Sequence, residues 1–385
     1  MRIAFITHNY PLSSKERSNA GIFVSDMAQE LAEKGHNVQV FVVNASVTKT
    51  TVCLDGRLKI HFLGKGSLNK SLGEVKFYNI FDLVRLYRLF MQSKNDIVDI
   101  LKRNQVDLCL AFWAIPSGIL VYQINKTLKV PYGIWALGSD IYVYQKLPIV
   151  GYLIKKSIDN AKILLADGID LANKITKFSN KICAFLPSAT SFGNIKKIKV
   201  AIDKRLVNFI FLGRLEKVKG PDIFLSSLSM LPKDINYHVY FLGGGVLLEK
   251  LTLKSVEYGL KEKVSFIGNV DDKRIIFAYL AKSDLLVIPS RSDSIPLTLT
   301  EGAKAGIPVL VSDAGDMHVL VKKYKIGYTF PSGDIRELSA ILEAFIKNGK
   351  NKRKSFENNL NVFAKDFNVS QIASNLIKNI ELSIN

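Results

Sequence analysis

The sequence predicts an α/β protein built from two domains with parallel sheets, and three observations lead there. Short apolar runs that read as buried strands alternate with segments of helical periodicity. At 385 residues the chain is longer than one ordinary core organises and suits two. The alternation also restarts after a lysine-rich, irregular stretch from Thr190 to Arg205, which places a boundary near residue 195.

The first run, Arg2 to Thr7, is an apolar strand followed by a polar loop from Asn9 to Ala20. A helix is expected from Gly21 to Lys34, because Ile22, Met27, Ala28, Leu31 and Ala32 recur on one face. Gly35 closes it as a C-cap would. Strands follow at Val38 to Val43, Leu108 to Phe112, Tyr132 to Ala136 and Ile163 to Ala166. In the second half they fall at Phe209 to Leu212, Tyr237 to Leu242, Val264 to Ile267, Leu285 to Pro289 and Pro308 to Ser312. The domains are therefore 1–195 and 196–369, with a last helix near 370–382 expected to return to the first.

Hydrophobic residues at 48% and charged residues at 23% exclude a disordered chain. The most apolar stretch, Leu110 to Ile124, is interrupted by Pro116 and Gly118 and is too short to span a bilayer. The N-terminus reads as a strand rather than a leader, so a cytoplasmic protein is expected. Cys53, Cys109 and Cys183 lie in apolar runs and are expected to be buried free thiols. The formal charge of +19 favours anionic partners, and Lys155-Lys156 and Lys350 to Lys354 lean toward an anionic membrane surface. No recognition motif or aromatic-studded basic strand supports nucleic acid. A nicotinamide dehydrogenase is excluded because no Gly-x-Gly-x-x-Gly follows the first strand.

Three constellations in the second half carry chemistry. Gly213-Arg214 and Lys219-Gly220 follow a strand: a glycine permits close backbone approach, and two cations can grip a phosphate near a helix that starts at Pro221. Gly243, Gly244 and Gly245 follow the next strand and suit either a ligand or a tight turn. In Pro289 to Pro308, a polar loop carries Asp293 and the helix Leu297 to Ala305 carries Glu301, at the carboxyl end of a strand where open α/β sheets bind ligands. The N–H groups of Ser294, Ile295 and Leu297 near that helix start can meet phosphates.

These elements, in this order, resemble the retaining GT-B glycosyltransferases of family 4. The match runs from Pro289 to Val309 through Pro296, Leu297, Glu301, Gly306 and Pro308, preceded by Phe266-Ile267-Gly268-Asn269-Val270 and followed by Gly327 to Asp334. The resemblance implies two facing Rossmann-like domains with parallel sheets and an interdomain cleft. It implies that Arg214 and Lys219 neutralise a departing nucleoside diphosphate, and that Glu301 holds the ribose. Backbone around Gly268 and Val270 would meet the base, and Asp293 the hydroxyls of the transferred sugar. Gly213, Gly244 and Gly21 would complete the donor contacts. The co-substrate is a nucleoside-diphosphate sugar, UDP favoured over GDP. The acceptor is a glycan or lipid-linked molecule of cell-surface polysaccharide synthesis, on the inner membrane face.

No Asp-x-Asp triplet or His-Glu-x-x-His occurs, so no metal and no other cofactor is expected. On the acceptor side Asp140 is the polar candidate, with an N-cap as its alternative. His8 is a second candidate, with a satisfied structural histidine as its alternative. The chain departs from the family pattern at Asp293 (a glutamate there), Leu137 (often a histidine), Pro187-Ser188 and Gly315-Asp316, and at Gly21, a lone glycine where two are common. A nucleotide-sugar 2-epimerase of the same fold, or a donor-binding protein that needs a partner, remain the alternatives.

Overall fold

A computed structural model describes residues 1–11, 21–43, 51–55, 57–64, 80–191, 198–348 and 352–384. The chain divides into two compact units, Met1–Pro187 with the segment from Ile372 onward, and Ser188–Gln371.

In the first unit, β1 (Arg2–Thr7), α1 (Ile22–Glu33), β2 (Asn37–Val43), β3 (Thr51–Asp55), β4 (Leu58–Leu63) and α2 (Ile80–Arg103) come first. Then follow β5 (Leu108–Phe112), α3 (Ile119–Leu128), β6 (Tyr132–Ala136), α4 (Ser139–Tyr142), α5 (Pro148–Asn160), β7 (Ile163–Ala166), α6 (Ile169–Ser179) and β8 (Ala184–Phe185). The strands form one sheet in the order β3-β4-β2-β1-β5-β6-β7-β8, parallel except for β3, which runs antiparallel on β4. The strand order reverses between β1 and β5, and the carboxyl ends at such a reversal are where open α/β sheets bind ligands.

The local reasons are legible. α1 buries Ile22, Phe23, Val24, Met27, Ala28 and Leu31 on one face. It stops at Gly35, whose φ of +93° lets the N–H of His36 turn back to the carbonyl of Leu31. β1, β5, β6 and β7 are buried on both faces, which is why they appear as continuous apolar runs. β3 and β4 lack the signature of a buried strand: β3 is a short exposed edge strand, and β4 is interrupted by Lys59 and His61. Cys53 corrects the cysteine expectation: it sits exposed on the edge strand β3, whereas Cys109 and Cys183 are buried.

One consequence is a pH dependence. His61 lies beside Phe41 in neighbouring strands, with the rings stacked 4.7 Å apart at 8°. It is 3% exposed, and neither ring nitrogen has a partner among the described residues. Burial, then the charge of Lys59, pushes its pKa down from 6.5 to about 4. Between those values the unfolded chain binds a proton that the folded chain refuses, so stability falls as pH drops from 6.5 toward 4. His61→Phe keeps the stack and removes the two orphaned nitrogens. A less steep fall of Tm with acidification is expected, with a higher Tm at the acid end; an unchanged slope in a pH series of melting curves refutes the assignment.

The second unit contains β9 (Val207–Leu212), α7 (Pro221–Leu228), β10 (Tyr237–Leu242), α8 (Leu248–Glu257), β11 (Val264–Gly268), α9 (Lys273–Lys282) and β12 (Leu285–Ile288). It continues with α10 (Leu297–Lys304), β13 (Val309–Ser312), α11 (Met317–Tyr324), β14 (Gly327–Phe330), α12 (Ile335–Lys347) and α13 (Lys352–Asp366). The last helix, α14 (Val369–Ile384), belongs from Ile372 onward with the first unit. The strands are all parallel, in the order β11-β10-β9-β12-β13-β14. Order reverses between β9 and β12, which gives a second such pair of carboxyl ends. The core is built of Phe209, Phe224, Phe241, Leu285, Leu310 and Phe330 among others.

In each of the two basic clusters one member is engaged by the fold, while Lys156 and Lys354 stay exposed. Arg353 donates to the carbonyls of Ala281, Ser283, Ala305 and Gly306, pinning α13 to the ends of α9 and α10, where helix carbonyls lack internal partners. Lys155 pairs with Asp159 and donates to the carbonyl of Phe178. Lys350 lies outside the described residues, as do Lys15 and Arg17 of the loop after β1.

Candidate active site

The site of the second unit is assembled where β9 and β12 end. After β9 the chain turns at Gly213, with φ +148°, then runs through Arg214 to a tight 3-10 turn, Lys217–Lys219. Gly220 adopts φ +69°, and a Cβ there would stand 1.9 Å from the carbonyl oxygen of Pro289. Only glycine therefore lets the Lys219 turn rest on the loop after β12. That loop is tied down from the other side by Arg291. Its guanidinium grips Asp222 through two bonds of 2.7 and 2.8 Å and donates to the carbonyl of Lys217, while its own N–H donates to the carbonyl of Val218. Burial alone would raise the Asp222 carboxyl, but the Arg291 hydrogen bonds and charge outweigh it and hold the group below the usual carboxylate range.

The fixed loops bring Lys219 and Asp293 together across 74 positions of sequence: Nζ lies 2.5 Å from Oδ2. The pair is largely but not wholly buried, with side chains 25% and 16% exposed. Ser290 Oγ donates to the same carboxylate oxygen at 3.2 Å. Asp293 Oδ1 has no hydrogen bond among the described residues, and an ammonium has three donor hydrogens, of which Asp293 takes one. A cavity of about 40 Å³ opens here, lined by Gly213, Lys219, Ile288, Ser290, Asp293 and Thr298 among others. Asp293 is itself seated on Gly315, where φ is +61° and a Cβ would stand 1.7 Å from the Asp293 carbonyl oxygen. The departure at Gly315-Asp316 thus retains the one glycine that the loop requires.

Ser294, Ile295 and Leu297 lead into α10, and their N–H groups make no hydrogen bond among the described residues; Ser294 Oγ is also buried without a partner there. Such a row of unclaimed donors at a helix start suits an anion. One turn on, Glu301 accepts from Thr190 Oγ1 at 3.2 Å, and Lys304 Nζ donates to the Thr190 carbonyl at 2.5 Å. Lys273 and Lys282 donate to the carbonyls of Ser191 and Val200. Arg214 is different: its side chain is 69% exposed and pairs with Glu216 at 2.7 Å, so it reaches a ligand only by leaving that partner. Exposed pairs of this kind are worth less than about 1 kcal/mol, so the exchange costs little.

The glycines separate into two kinds. A Cβ at Gly213 or Gly268 meets nothing closer than 3.9 Å, leaving open space over the backbone at both. Gly243 and Gly245 are instead pressed on the carbonyls of Gly213 and Leu215, where a Cβ would stand 2.0 and 2.6 Å away. Gly244, expected to contact a donor, already gives its N–H to Asn269 Oδ1 at 2.7 Å; the triple glycine is explained by packing of one loop on another. Val270 lines a larger, open cavity of about 610 Å³ with Ile267, Asn269, Asp272, Ile275 and Tyr279 among others, a mixed apolar and polar lining.

In the first unit, Asp140 corrects the acceptor-side expectation. It is 1% exposed, and its carboxylate accepts from the N–H groups of Ala114 at 2.7 Å, Gly138 at 2.8 Å and Leu137 at 3.3 Å. It ties the loop after β5 to the loop after β6; the N-cap position of α4 belongs to Gly138. Burial raises its pKa against the pull of those three N–H groups. Gly21 likewise serves packing, since a Cβ there would stand 2.3 Å from the Asn9 carbonyl oxygen. Trp135 is fully buried and donates to the Leu186 carbonyl, so it does not replace the histidine missing at Leu137. His8 packs edge-on against Trp113, 4.6 Å away, with Nδ1 buried and unpartnered among the described residues. Burial lowers its pKa to about 4, which keeps it neutral. Its other ring nitrogen, Nε2, is hydrogen-bonded with Asn9 Nδ2 at 3.2 Å, so the ring is held from one side.

Two α/β units with largely parallel sheets, the second with a cation–carboxylate site at its strand switch point, give the GT-B architecture. Residues 194–361 match the family model for glycosyl transferases group 1, and the protein carries a group 1 glycosyltransferase domain. It is 24% identical over 358 residues to TuaC of Bacillus subtilis, named for a glycosyltransferase step in teichuronic acid biosynthesis, covering 84% of each chain. Among solved structures it resembles sucrose-phosphate synthase of Thermosynechococcus elongatus, with a TM-score of 0.78 at 15% identity over 99% of this chain and 98% of that one. It also resembles HepE of Anabaena, solved with UDP-glucose, with a TM-score of 0.71 at 15% identity over 99% of this chain and 100% of the other. The departures at Asp293 and Leu137 leave that fold intact.

Proposed function

We propose that the enzyme transfers a sugar with retention from a UDP-sugar to a glycan or lipid-linked acceptor of cell-surface polysaccharide synthesis, on the cytoplasmic face of the membrane and without a metal ion. The observation that carries this reading is the Lys219–Asp293 contact beside the unclaimed N–H groups of Ser294, Ile295 and Leu297. Leaving of a nucleoside diphosphate concentrates negative charge on its phosphates. Lys219, with two donor hydrogens left, Arg214 released from Glu216, and the start of α10 are donors set in advance for that charge. Asp293 Oδ1 is placed to accept from a hydroxyl of the transferred sugar while Oδ2 holds Lys219. Glu301, steadied by Thr190, suits the ribose hydroxyls, and the cavity at Val270 suits the base. The UDP and UDP-glucose bound by neighbouring structures support the choice of UDP. The TuaC likeness supports a surface polymer. Among the described residues no helix is long and apolar enough to cross a membrane, so a peripheral association is proposed.

The test is thermal unfolding with UDP, GDP, ADP and their sugars in the presence of EDTA. UDP compounds are expected to stabilise selectively, by about 2.7 kcal/mol at a hundredfold over Kd. A response only to GDP compounds, or only after Mg²⁺ or Mn²⁺ is added, overturns the donor or the metal assignment respectively. Proton NMR of the first product reads the anomeric configuration, and inversion refutes the retaining mechanism.

A further inference from the structure

Four large apolar side chains lie exposed within ten residues of the first unit: Val143, Leu147, Ile149 and Tyr152, at 57%, 46%, 78% and 60%. Elsewhere among the described residues such side chains are more scattered, the nearest to a group being Val246, Leu253 and Val256. Helix α5 explains the arrangement. Its inner face buries Gly151, Ile154, Ser157 and Ile158, while Ile149, Tyr152 and Lys156 recur at i, i+3 and i+7 on the opposite face. Lys156 Nζ lies 5.5 Å from the centre of the Tyr152 ring. The exposed end is held rigidly, because a Cβ on Gly151 would stand 2.2 Å from the Gln145 carbonyl oxygen and the Gly151 N–H donates to Leu147 at 2.6 Å. From Ile141 to Ile158 the chain has Lys146, Lys155 and Lys156 and no acidic residue. Lys155 is engaged with Asp159, which leaves Lys146 and Lys156 flanking the apolar side chains.

We propose that this surface, Val143 to Lys156, docks the enzyme on a bilayer carrying anionic headgroups. The inference rests on the lipid-linked acceptor proposed above and names the surface that serves it. Apolar side chains that enter the headgroup boundary, flanked by lysines that reach phosphates, match an interfacial helix. The centre of a protein–protein interface is depleted in lysine, which argues for lipid over a protein partner. The chain's charge of +19 is complementary to such a surface. Position supports it too: α4 and α5 follow the carboxyl end of β6 and pack on the turn Ala114–Gly118. The patch therefore lies at the edge of the sheet that carries His8 and Trp113, where an acceptor anchored in lipid would be presented.

The experiment is co-sedimentation of the full chain, at low salt, with vesicles of phosphatidylcholine and phosphatidylglycerol in equal parts or of phosphatidylcholine alone. The protein is expected to pellet with the anionic vesicles. Ile149→Ser with Tyr152→Ser, and separately Lys146→Gln with Lys156→Gln, each lower the partition coefficient roughly tenfold. Tm and the UDP-sugar response stay unchanged in both, which shows that folding and the donor site are intact. Tyr152→Trp gives a blue-shifted emission on anionic vesicles. If the wild type pellets and both double variants pellet equally well, the surface is wrong while the lipid-linked reading stands. If the wild type pellets with neither vesicle, the docking proposal falls; transfer to a water-soluble acceptor, measured on the same samples, then decides the acceptor separately. A dimer in ultracentrifugation that Ile149→Ser with Tyr152→Ser dissociates makes the patch an interface between copies and also overturns it.

Discussion

Lys219→Ala is expected to lower kcat by about two to three orders of magnitude, the loss typical when one preorganised donor to a developing anion is removed. The site makes the loss worse than deletion of a lone cation. Asp293 would remain, 16% exposed and without its ion-pair partner, facing the space a diphosphate occupies. Nucleotide binding should therefore weaken as well as turnover. The two residues are in contact, so their effects do not add. Lys219→Ala with Asp293→Asn is expected to bind UDP more tightly than Lys219→Ala alone, by about 1 kcal/mol of coupling, without regaining kcat. Lys219→Arg keeps the charge but not the compact ammonium, and should recover only part of the rate. Steady-state kinetics and calorimetric binding of UDP to the four proteins measure both quantities. A kcat for Lys219→Ala close to that of the wild type removes Lys219 from the donor clamp.

Asp140→Ala should destabilise the first unit by about 3 kcal/mol, since it leaves two buried N–H groups and one part-buried one without an acceptor, a buried one costing on the order of 1–3 kcal/mol before relaxation. The corresponding fall in Tm is roughly 5–10 °C. Asp140→Asn keeps one acceptor oxygen and should lose less. The pair also separates a structural tie from an acceptor contact. With the loops still held, Asp140→Asn is expected to retain most of its kcat at a temperature well below its Tm. A folded Asp140→Asn with turnover reduced a hundredfold would return the carboxylate to the acceptor side.

The fold and the candidate site were legible in the sequence to different depths. Buried parallel strands are apolar on both faces, so β1, β5, β6, β7, β10 and β13 stand out to within a residue at each end. β3 and β4 do not, because β3 is a short edge strand exposed along its length and β4 is broken by Lys59 and His61. Gly35 was readable because a helix stop has a local signature. The triple glycine was not, because two glycines on a turn look alike whether they admit a phosphate or the carbonyls of Gly213 and Leu215. Arg291 and Asp222 passed unnoticed for a related reason. Each is an ordinary surface residue type, and the grip between them exists only once β9 and β12 are neighbours.

By itself the sequence determined the α/β class, the order of the buried strands, the presence of Lys219 and Asp293 on loops that follow strands with Glu301 on the next helix, and the charge of +19. These follow from periodicity and composition, which each segment carries locally. Only the tertiary structure decided that Lys219 and Asp293 touch, that Asp140 faces inward, that Cys53 is exposed, and that Arg353 spends its charge on four carbonyls. Those outcomes depend on which strands become neighbours and in what register. A parallel sheet whose order reverses at β9 and β12 brings together residues 74 positions apart that no local pattern connects.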